Sequence, residues 1–230
     1  MQNFTIIIGD RTYEMSFDAL ENYTPPKQLR AIDAEQRMLA SLRELLQKRS
    51  FAQLSIDEIA TASNVTKSSF LQRFGDKETA LLLLYRKYCS DILKLIEAFT
   101  IRIENLRSET IEEEFLQIVM RFHQILKKHY AANKAMNVMF VEKGTIHNDT
   151  KLIFLKSTEL IDRINKAEIF GQRYVSTNSW TANQFLVTLT YNYTIGAMTA
   201  MPNSNEDCCK IISQSVLHCL TLPGPNVLCH

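Results

Sequence analysis

One short stretch of the sequence is rich in side chains that bind phosphates and base edges, and they recur at helical spacing. They are Thr66, Lys67, Ser68, Ser69, Gln72 and Arg73. Hydroxyl and backbone N–H groups hold phosphate oxygens, whereas the amide of Gln72 can pair with adenine. Lys67 or Arg73 can bind guanine or a phosphate. Two interpretations of the pattern alone are open: recognition of a nucleic acid, or the solvated polar face of a small helical domain.

Two short helices joined by a tight turn are predicted to position these side chains. Ser55 and Glu58 form a capping box, in which each side chain satisfies a backbone N–H of the other residue, so a helix begins there. Asn64 tolerates the left-handed backbone of a tight turn, and Thr66 caps a second helix that runs to about Phe74. This order predicts a helix-turn-helix, whose second helix would enter the major groove of double-stranded DNA with its N-terminus first.

Residues 37–85 resemble the N-terminal domain of the TetR family of transcriptional regulators. Their sequence is RMLASLRELLQKRSFAQLSIDEIATASNVTKSSFLQRFGDKETALLLLY. The positions that match the family pattern are spread over the whole stretch: Arg37-Met38-Leu39, Phe51, Ser55, Ile59-Ala60, Asn64-Val65-Thr66-Lys67-Ser68, Phe70, Arg73-Phe74 and Lys77. The similarity covers about residues 33–90 without a gap. The family is indicated by the agreement of many spaced positions and not by a single motif.

The resemblance implies a role for each polar residue of this segment. Phosphates would be held by Ser55, Thr66, Lys67, Ser69 and Lys77. Gln72 and Arg73 would contact bases or the DNA backbone. Four positions depart from the family pattern. Asn64 stands where glycine is usual, a tolerable change at a turn. Ser68 replaces a glycine that lets the backbone approach a phosphate, Leu71 replaces a tyrosine that touches phosphate, and Arg73 replaces a histidine.

Residues 1–29 precede this segment and predict a β-hairpin. The runs FTIII and RTYEMSF flank Gly9-Asp10, and a two-residue loop that opens with glycine suits a primed turn. The register should pair Ile8 with Arg11. That register puts one set of side chains on a common face: Phe4, Ile6, Tyr13 and Met15.

Helical periodicity dominates the rest of the chain, so the fold class is predicted to be all-α. The first helix is expected over Asp33–Lys48, with Asp33 as its cap. Later helices are expected at 77–104, 110–132, 133–143, 149–171, 181–200 and 205–220. The predicted organisation has four parts: an N-terminal extension (1–29), a helix-turn-helix DNA-binding domain (30–80), a helical effector-binding and dimerisation domain (81–222) and a flexible tail (223–230).

The resemblance also implies that the C-terminal domain binds a small effector and forms a homodimer. Its last two helices would supply the dimer interface, with Phe185, Leu189, Tyr193, Gly196, Ile212 and Val216. The pocket would be lined by Phe115, Val119, Phe122, His123, Met136, Met139, Phe140, Phe154, Thr158 and Tyr191. For both sets ordinary core packing is the alternative, and His123 by itself is typical of a core histidine with a partner.

Composition narrows the class of protein. The 230 residues are 46% hydrophobic and carry a net charge of +1, but residues 30–90 have 10 basic and 7 acidic side chains, so a polyanion would bind there.

The sequence has no Gly-rich phosphate loop, HExxH or GxSxG motif, so we expect no enzyme and no cofactor. The spacing of Cys208-Cys209 and His218-Cys219 fits no zinc pattern, so no metal is expected. With no apolar run of about 18 residues and no signal peptide, the chain should be cytoplasmic.

These features together predict a ligand-responsive regulator, a repressor that binds a palindromic operator as a dimer and is released by a small molecule. Two alternatives remain open. The first is a thiol redox sensor that uses Cys208, Cys209, Cys219 or Cys229, because adjacent cysteines at a helix start could have lowered pKa values. The second is a helical interaction protein that has lost DNA binding, which the departures at Ser68 and Leu71 would allow.

Overall fold

The computed structural model describes most of the chain. Backbone is described for residues 4–8, 11–15, 23–103, 111–143, 148–166, 176–198, 202 and 204–221. Side chains are described for residues 23–103, 111–142, 149–166, 178–198, 202 and 204–220. The predicted tail, residues 223–230, lies outside these ranges.

The described chain is all-α apart from a short hairpin, as predicted. Two strands come first, β1 (Phe4–Ile8) and β2 (Arg11–Met15). The helices follow in the order α1 (Leu29–Leu46), α2 (Ile56–Ala62), α3 (Lys67–Phe74), α4 (Lys77–Ile103), α5 (Ile111–Lys143), α6 (Asn148–Lys166), α7 (Ser176–Thr194) and α8 (Asn205–Thr221). A 3-10 turn at Phe51–Gln53 separates α1 from α2. No helix within the described ranges is both long enough and apolar enough to cross a membrane.

The hairpin has the predicted register. β1 and β2 are antiparallel, with Ile8 paired to Arg11. The same register sets Ile6 opposite Tyr13 and Phe4 opposite Met15. The Gly9-Asp10 turn lies outside the described residues.

Several helix boundaries differ from those predicted, including the start of α7, which lies at Ser176 and not at residue 181. The first helix begins at Leu29, before Asp33, because Pro26 restricts only itself and the residue before it. Gln28 is its cap and accepts the first backbone hydrogen bonds through its carbonyl oxygen. The break predicted after residue 132 is absent, since residues 111–143 contain no glycine or proline to interrupt α5. The helix predicted to reach residue 200 ends at Thr194, and Gly196 then has a φ of +71°.

The chain divides into two compact units. The first comprises Met1–Lys87 and Ala131–Thr150, and the second comprises Tyr88–Tyr130 and Lys151–His230. Both α4 and α5 therefore contribute residues to each unit. Fully buried apolar side chains form the core of the first unit, among them Leu42, Ile59, Phe70, Leu81 and Met136. The second unit has its own core, which includes Phe99, Val119, Ile161, Ile164 and Val216. The four-part division into 1–29, 30–80, 81–222 and 223–230 stays a prediction.

Candidate nucleic-acid interface

The capping box at the start of α2 forms as predicted. Glu58 donates its backbone N–H to the Ser55 hydroxyl at 3.2 Å, and the Ser55 backbone N–H donates to the Glu58 carboxylate at 2.9 Å. The Arg49 guanidinium also donates to Glu58, at 2.7 Å. The Ser55 backbone N–H first, and then Arg49, lower the pKa of Glu58 to about 2. The Ser55 hydroxyl, expected to hold a phosphate, therefore already serves α2.

The turn between α2 and α3 is tight and left-handed at one residue. Asn64 has a φ of +55°, the conformation anticipated for it. The backbone N–H of Val65 reaches back to the carbonyl oxygen of Ala60 at 3.0 Å, and Asn64 bonds Thr61 at 3.1 Å. These bonds fix the angle between two short helices that would not be stable alone.

One face of α3 is buried and the opposite face is open. Phe70 is 0% exposed and Phe74 5%, with ring centroids 4.9 Å apart. Since successive helical residues are about 100° apart, Gln72 points about 180° away from the middle of that buried face. Gln72, Ser68 and Ser69 are all exposed. Three candidate DNA contacts therefore share the outward face of the helix, which we call the reader helix.

The N-terminus of the reader helix holds two further candidates. The Thr66 hydroxyl accepts the backbone N–H of Ser69 at 3.1 Å and lies 2.8 Å from the Ser69 hydroxyl. Lys67 pairs with Asp57 at 2.7 Å, and both side chains are more than half exposed. An ion pair so exposed contributes little stability, so Lys67 can exchange Asp57 for a phosphate at small cost.

Arg73, by contrast, is held within the protein. Its Nη1 donates to the carbonyl oxygen of Thr24 at 2.8 Å and lies 3.5 Å from a carboxylate oxygen of Glu35. The Tyr23 hydroxyl donates to the same carboxylate, 2.8 Å from either oxygen. The side chains of Arg73 and Glu35 are only 22% and 14% exposed. We call Tyr23, the Thr24 carbonyl, Glu35 and Arg73 the Arg73 clasp.

The tyrosine of the Arg73 clasp has a raised pKa. Burial first, and then the Glu35 carboxylate beside it, raise the pKa of Tyr23 to about 12. Tyr23 therefore stays protonated and continues to donate its hydroxyl hydrogen throughout the physiological pH range.

Lys77 is likewise engaged by its own chain. Its ammonium group donates to the carbonyl oxygens of Phe51 at 3.1 Å and Leu54 at 2.9 Å. It also lies 4.7 Å from the centroid of the Phe51 ring. Lys77 therefore closes the turn between α1 and α2, a role that the sequence did not indicate.

Sequence reasoning missed the residues that hold Arg73. Tyr23 and Thr24 lie in the extended segment before α1, and Glu35 lies 38 residues before its arginine partner. The only signal in the sequence is Pro25-Pro26, which keeps the segment next to Tyr23 extended and free to lie alongside a helix. It does not indicate which helix.

The predicted effector-binding residues are divided between the two units. Met136, Met139 and Phe140 belong to the first unit, and Phe115, Val119, Phe122, His123, Phe154, Thr158 and Tyr191 belong to the second. Met139 lines an open groove of about 720 Å³ in the first unit, together with residues 46–53 and Lys77. Phe115 and Phe122 line a small cavity of about 30 Å³ in the second unit. Because pockets for small molecules measure about 300–1,000 Å³, this cavity would have to open to admit an effector.

His123 is buried and only partly satisfied. Its Nδ1 lies 3.0 Å from the Thr194 hydroxyl, and its ring centroid lies 4.8 Å from that of Tyr193. Its Nε2 is buried without a hydrogen-bond partner in the part of the chain that the structure describes. Burial, and to a lesser extent the charge of Lys127, lower the pKa of His123, so the ring is neutral at pH 7.

The predicted dimer residues differ in accessibility. Ile212 and Val216 are 1% and 0% exposed within the single chain, where α7 packs on α8, so they offer no surface to a partner. Gly196 lies in the turn after α7, outside the helix in which it was expected to permit close packing. Phe185 is well exposed, and Leu189 and Tyr193 are half-buried. Ile211 and Trp180 are also exposed on the same two helices, and Trp180 was not predicted.

Burial raises the pKa values of two cysteines, whereas a redox sensor at a helix start would need lowered values. Cys208, Cys209 and Cys219 are free thiols, and Cys229 lies outside the described residues. Burial, and then the neighbouring Cys208, raise the pKa of Cys209 to about 11. Burial also raises the pKa of Cys219. Because the thiolate is the reactive form, both groups are less reactive than ordinary cysteines.

Comparison with known proteins agrees with this geometry. Residues 38–83 match the family model described as bacterial regulatory proteins, tetR family. No curated protein matches the sequence. Many solved structures share the fold, and three of them illustrate the extent of the likeness.

The TetR family regulator PfmR from Thermus thermophilus is 12% identical, with a TM-score of 0.57, over 80% of this chain and 97% of that one. A TetR-like regulator from Rhodococcus sp. RHA1 is 13% identical, with a TM-score of 0.58, over 86% and 100% of the two chains. A TetR family regulator from Marinobacter aquaeolei VT8 is 13% identical, with a TM-score of 0.56, over 81% and 96%.

At such low identity the solved structures show the fold, whereas the family model matches the segment that contains the reader helix. The two findings therefore agree on two independent properties, the architecture of the chain and the sequence of its helix-turn-helix. Residues 38–83 therefore match the helix-turn-helix segment of the tetR family of bacterial regulatory proteins, within a chain whose fold is that of solved TetR family regulators.

Proposed function

We propose that this protein is a ligand-responsive repressor that binds a palindromic operator as a homodimer and is released by a small-molecule effector. The observation that carries the DNA-binding part is the outward face of the reader helix, where Ser68, Ser69 and Gln72 are exposed opposite the buried Phe70 and Phe74. Repression is the usual mode of the family. A DNA partner supports the proposal that the protein works in the cytoplasm.

The residues proposed to touch DNA fall into two groups. Thr66, Lys67 and Ser69 lie at the N-terminus of the reader helix, where backbone N–H groups and the helix dipole favour a phosphate. Ser68 and Gln72 lie on its outward face and would meet base edges in the major groove. Ser55, Arg73 and Lys77 bond groups of their own chain, and we assign them to the support of the helix-turn-helix.

The homodimer is proposed to form through α7 and α8. Exposed aromatic and aliphatic side chains on these helices support this surface, namely Trp180, Phe185 and Ile211. Large apolar side chains in contact with water are typical of protein interfaces. A two-fold axis there would present two reader helices, which must sit about 34–36 Å apart to enter successive major grooves.

The effector is proposed to bind in the second unit. The cavity lined by Phe115 and Phe122 and the buried, partly satisfied His123 support an apolar ligand with a hydrogen-bonding group. α4 begins directly after the reader helix and continues into the second unit, so a ligand that shifts α4 would alter the spacing of the two reader helices. A coupling free energy of about 1–3 kcal/mol would change operator affinity about 5–150-fold.

The experiment is selection of fragments from a random double-stranded DNA pool at two salt concentrations, followed by sequencing. We expect a two-fold palindrome whose binding weakens at high salt, because phosphate contacts release counterions. Lys67→Ala should weaken binding to the selected palindrome. Lys94→Ala, which removes an exposed lysine of the second unit, is the matched control and should leave binding unchanged. Failure to enrich any sequence above non-specific binding would contradict the proposal.

A further inference from the structure

The reader helix carries one large apolar side chain that is partly exposed. Leu71 is 37% exposed, whereas Phe70 and Phe74 on the same helix are buried. Its neighbours on the open side, Ser68 and Gln72, are exposed and polar. A single exposed leucine is common on protein surfaces, but this one borders the face proposed to enter the major groove.

Helical geometry places Leu71 at the edge of that face. At about 100° per residue, Leu71 lies about 60° around the helix axis from Ser68 and about 160° from Arg73. Leu71 and Arg73 therefore flank the outward face on opposite sides. Arg73, which could have bonded guanine, is already held by Glu35 and by the carbonyl oxygen of Thr24. On the other side, Leu71 would contact the part of the DNA that lies next to Ser68.

The chemistry of leucine restricts what that contact is. Leucine has no hydrogen-bond donor or acceptor, so it cannot bind a phosphate or the polar atoms of a base edge. The apolar group that a base presents in the major groove is the C5 methyl of thymine. We propose that Leu71 determines specificity by packing on a thymine methyl group in each half of the operator. This inference rests on the DNA-binding function proposed above.

The test replaces thymine by deoxyuridine, which differs only by that methyl group, at one position at a time in the selected palindrome. For the wild-type protein we expect one thymine position in each half-site where uracil lowers the affinity about fourfold, the effect of losing one buried methyl group. Substitution in both half-sites should lower it about 15-fold. The Leu71→Ala protein should bind the thymine and uracil operators equally at that position.

Three control variants separate a direct contact from a general effect on folding. Leu29→Ala removes a leucine that is 80% exposed at the start of α1, and it should keep the full uracil penalty. Gln72→Ala should weaken binding while keeping the penalty at the position assigned to Leu71. Leu71→Met keeps an apolar side chain of similar length and should keep most of the penalty.

Two results would overturn the assignment alone: an enriched palindrome at which no uracil substitution weakens the wild-type protein, or a Leu71→Ala protein that retains the same penalty. A pool that yields no enriched palindrome would overturn the proposed function and this assignment with it. Equal melting temperatures for the wild-type and Leu71→Ala proteins are expected, and they would show that the lost penalty does not arise from unfolding.

Discussion

Two polar pairs of the helix-turn-helix and one buried amide of the second unit find their partners in opposite ways. In the helix-turn-helix, Ser55 bonds Glu58 and Thr66 bonds Ser69, so each partner is three residues away and the pair is exposed. In the second unit, the amide of Asn183 donates to the Thr158 hydroxyl at 2.8 Å and to the carbonyl oxygen of Phe154 at 3.2 Å. Asn183 itself is fully buried, and its partners lie on another helix.

Exposed polar pairs and buried polar bonds have different uses in this protein. An exposed pair such as Lys67 and Asp57 costs little to break, so its members remain available to a ligand. A buried bond is costly to break, because the groups left behind have no water to replace their partner. The reader helix is thus suited to binding, whereas Asn183 fixes how α7 packs on α6.

The largest expected effect comes from removing a buried side chain of the reader helix. Phe70→Ala deletes a fully buried ring and should lower the free energy of unfolding by about 3–5 kcal/mol. Leu71→Ala, one residue further along, should change it by less than about 0.5 kcal/mol. Chemical denaturation followed by circular dichroism measures both. Similar losses in the two proteins would mean that the two faces of the helix are not distinguished by burial.

The second test removes a buried amide. Asn183→Ala should cost about 1–3 kcal/mol, because the Thr158 hydroxyl and the Phe154 carbonyl oxygen lose a donor in a buried setting. Thr188→Ala, at an exposed position of the same helix, is the control and should be nearly neutral. Denaturation of both proteins under the same conditions gives the comparison. An Asn183→Ala protein as stable as the control would show that the buried bonds contribute nothing net.

The same contrast explains how much of the structure could be predicted from the sequence. The capping box at Ser55, the turn at Asn64 and the start of the reader helix at Thr66 depend on residues close in sequence, and all three are confirmed. The hairpin register follows from the strand alternation on either side of Gly9-Asp10, and it too is confirmed.

Interactions between distant residues could not be predicted in this way. Nothing near Arg73 in the sequence indicates that Glu35 and the Thr24 carbonyl hold it, and nothing near Lys77 indicates the carbonyl oxygens of Phe51 and Leu54. From the sequence alone, a lysine or arginine in a predicted DNA-binding helix is interpreted as a DNA contact, because the sequence does not show its distant partner within the protein. The effector pocket stays a prediction, since apolar residues that line a cavity and those that fill a core have the same helical spacing.

The third test compares two cations of the reader helix that sequence alone treats alike. Lys67→Ala should reduce the slope of log affinity against log salt concentration by about 0.9 for each phosphate contact that is lost. Arg73→Ala should leave that slope unchanged and instead lower stability, because its side chain is held in the Arg73 clasp. Operator binding over a salt series and thermal unfolding measure the two effects. A reduced slope for Arg73→Ala would show that the arginine leaves the clasp to bind a phosphate.

The smallest expected effect is at the thiols, where the contrast predicts no change at all. The pKa of Cys209 is raised to about 11, so at pH 7.5 almost none of it is the reactive thiolate. Treatment with dilute hydrogen peroxide should therefore leave operator affinity unaltered, and iodoacetamide should label Cys208 and Cys209 only after denaturation, since both are buried. Loss of DNA binding on oxidation, reversed by dithiothreitol and absent in a Cys209→Ser protein, would contradict this expectation. It would mean that the second unit opens often enough in the native state to expose its buried sulphur. Buried groups of the second unit would then be accessible to reagents, as exposed groups of the reader helix are.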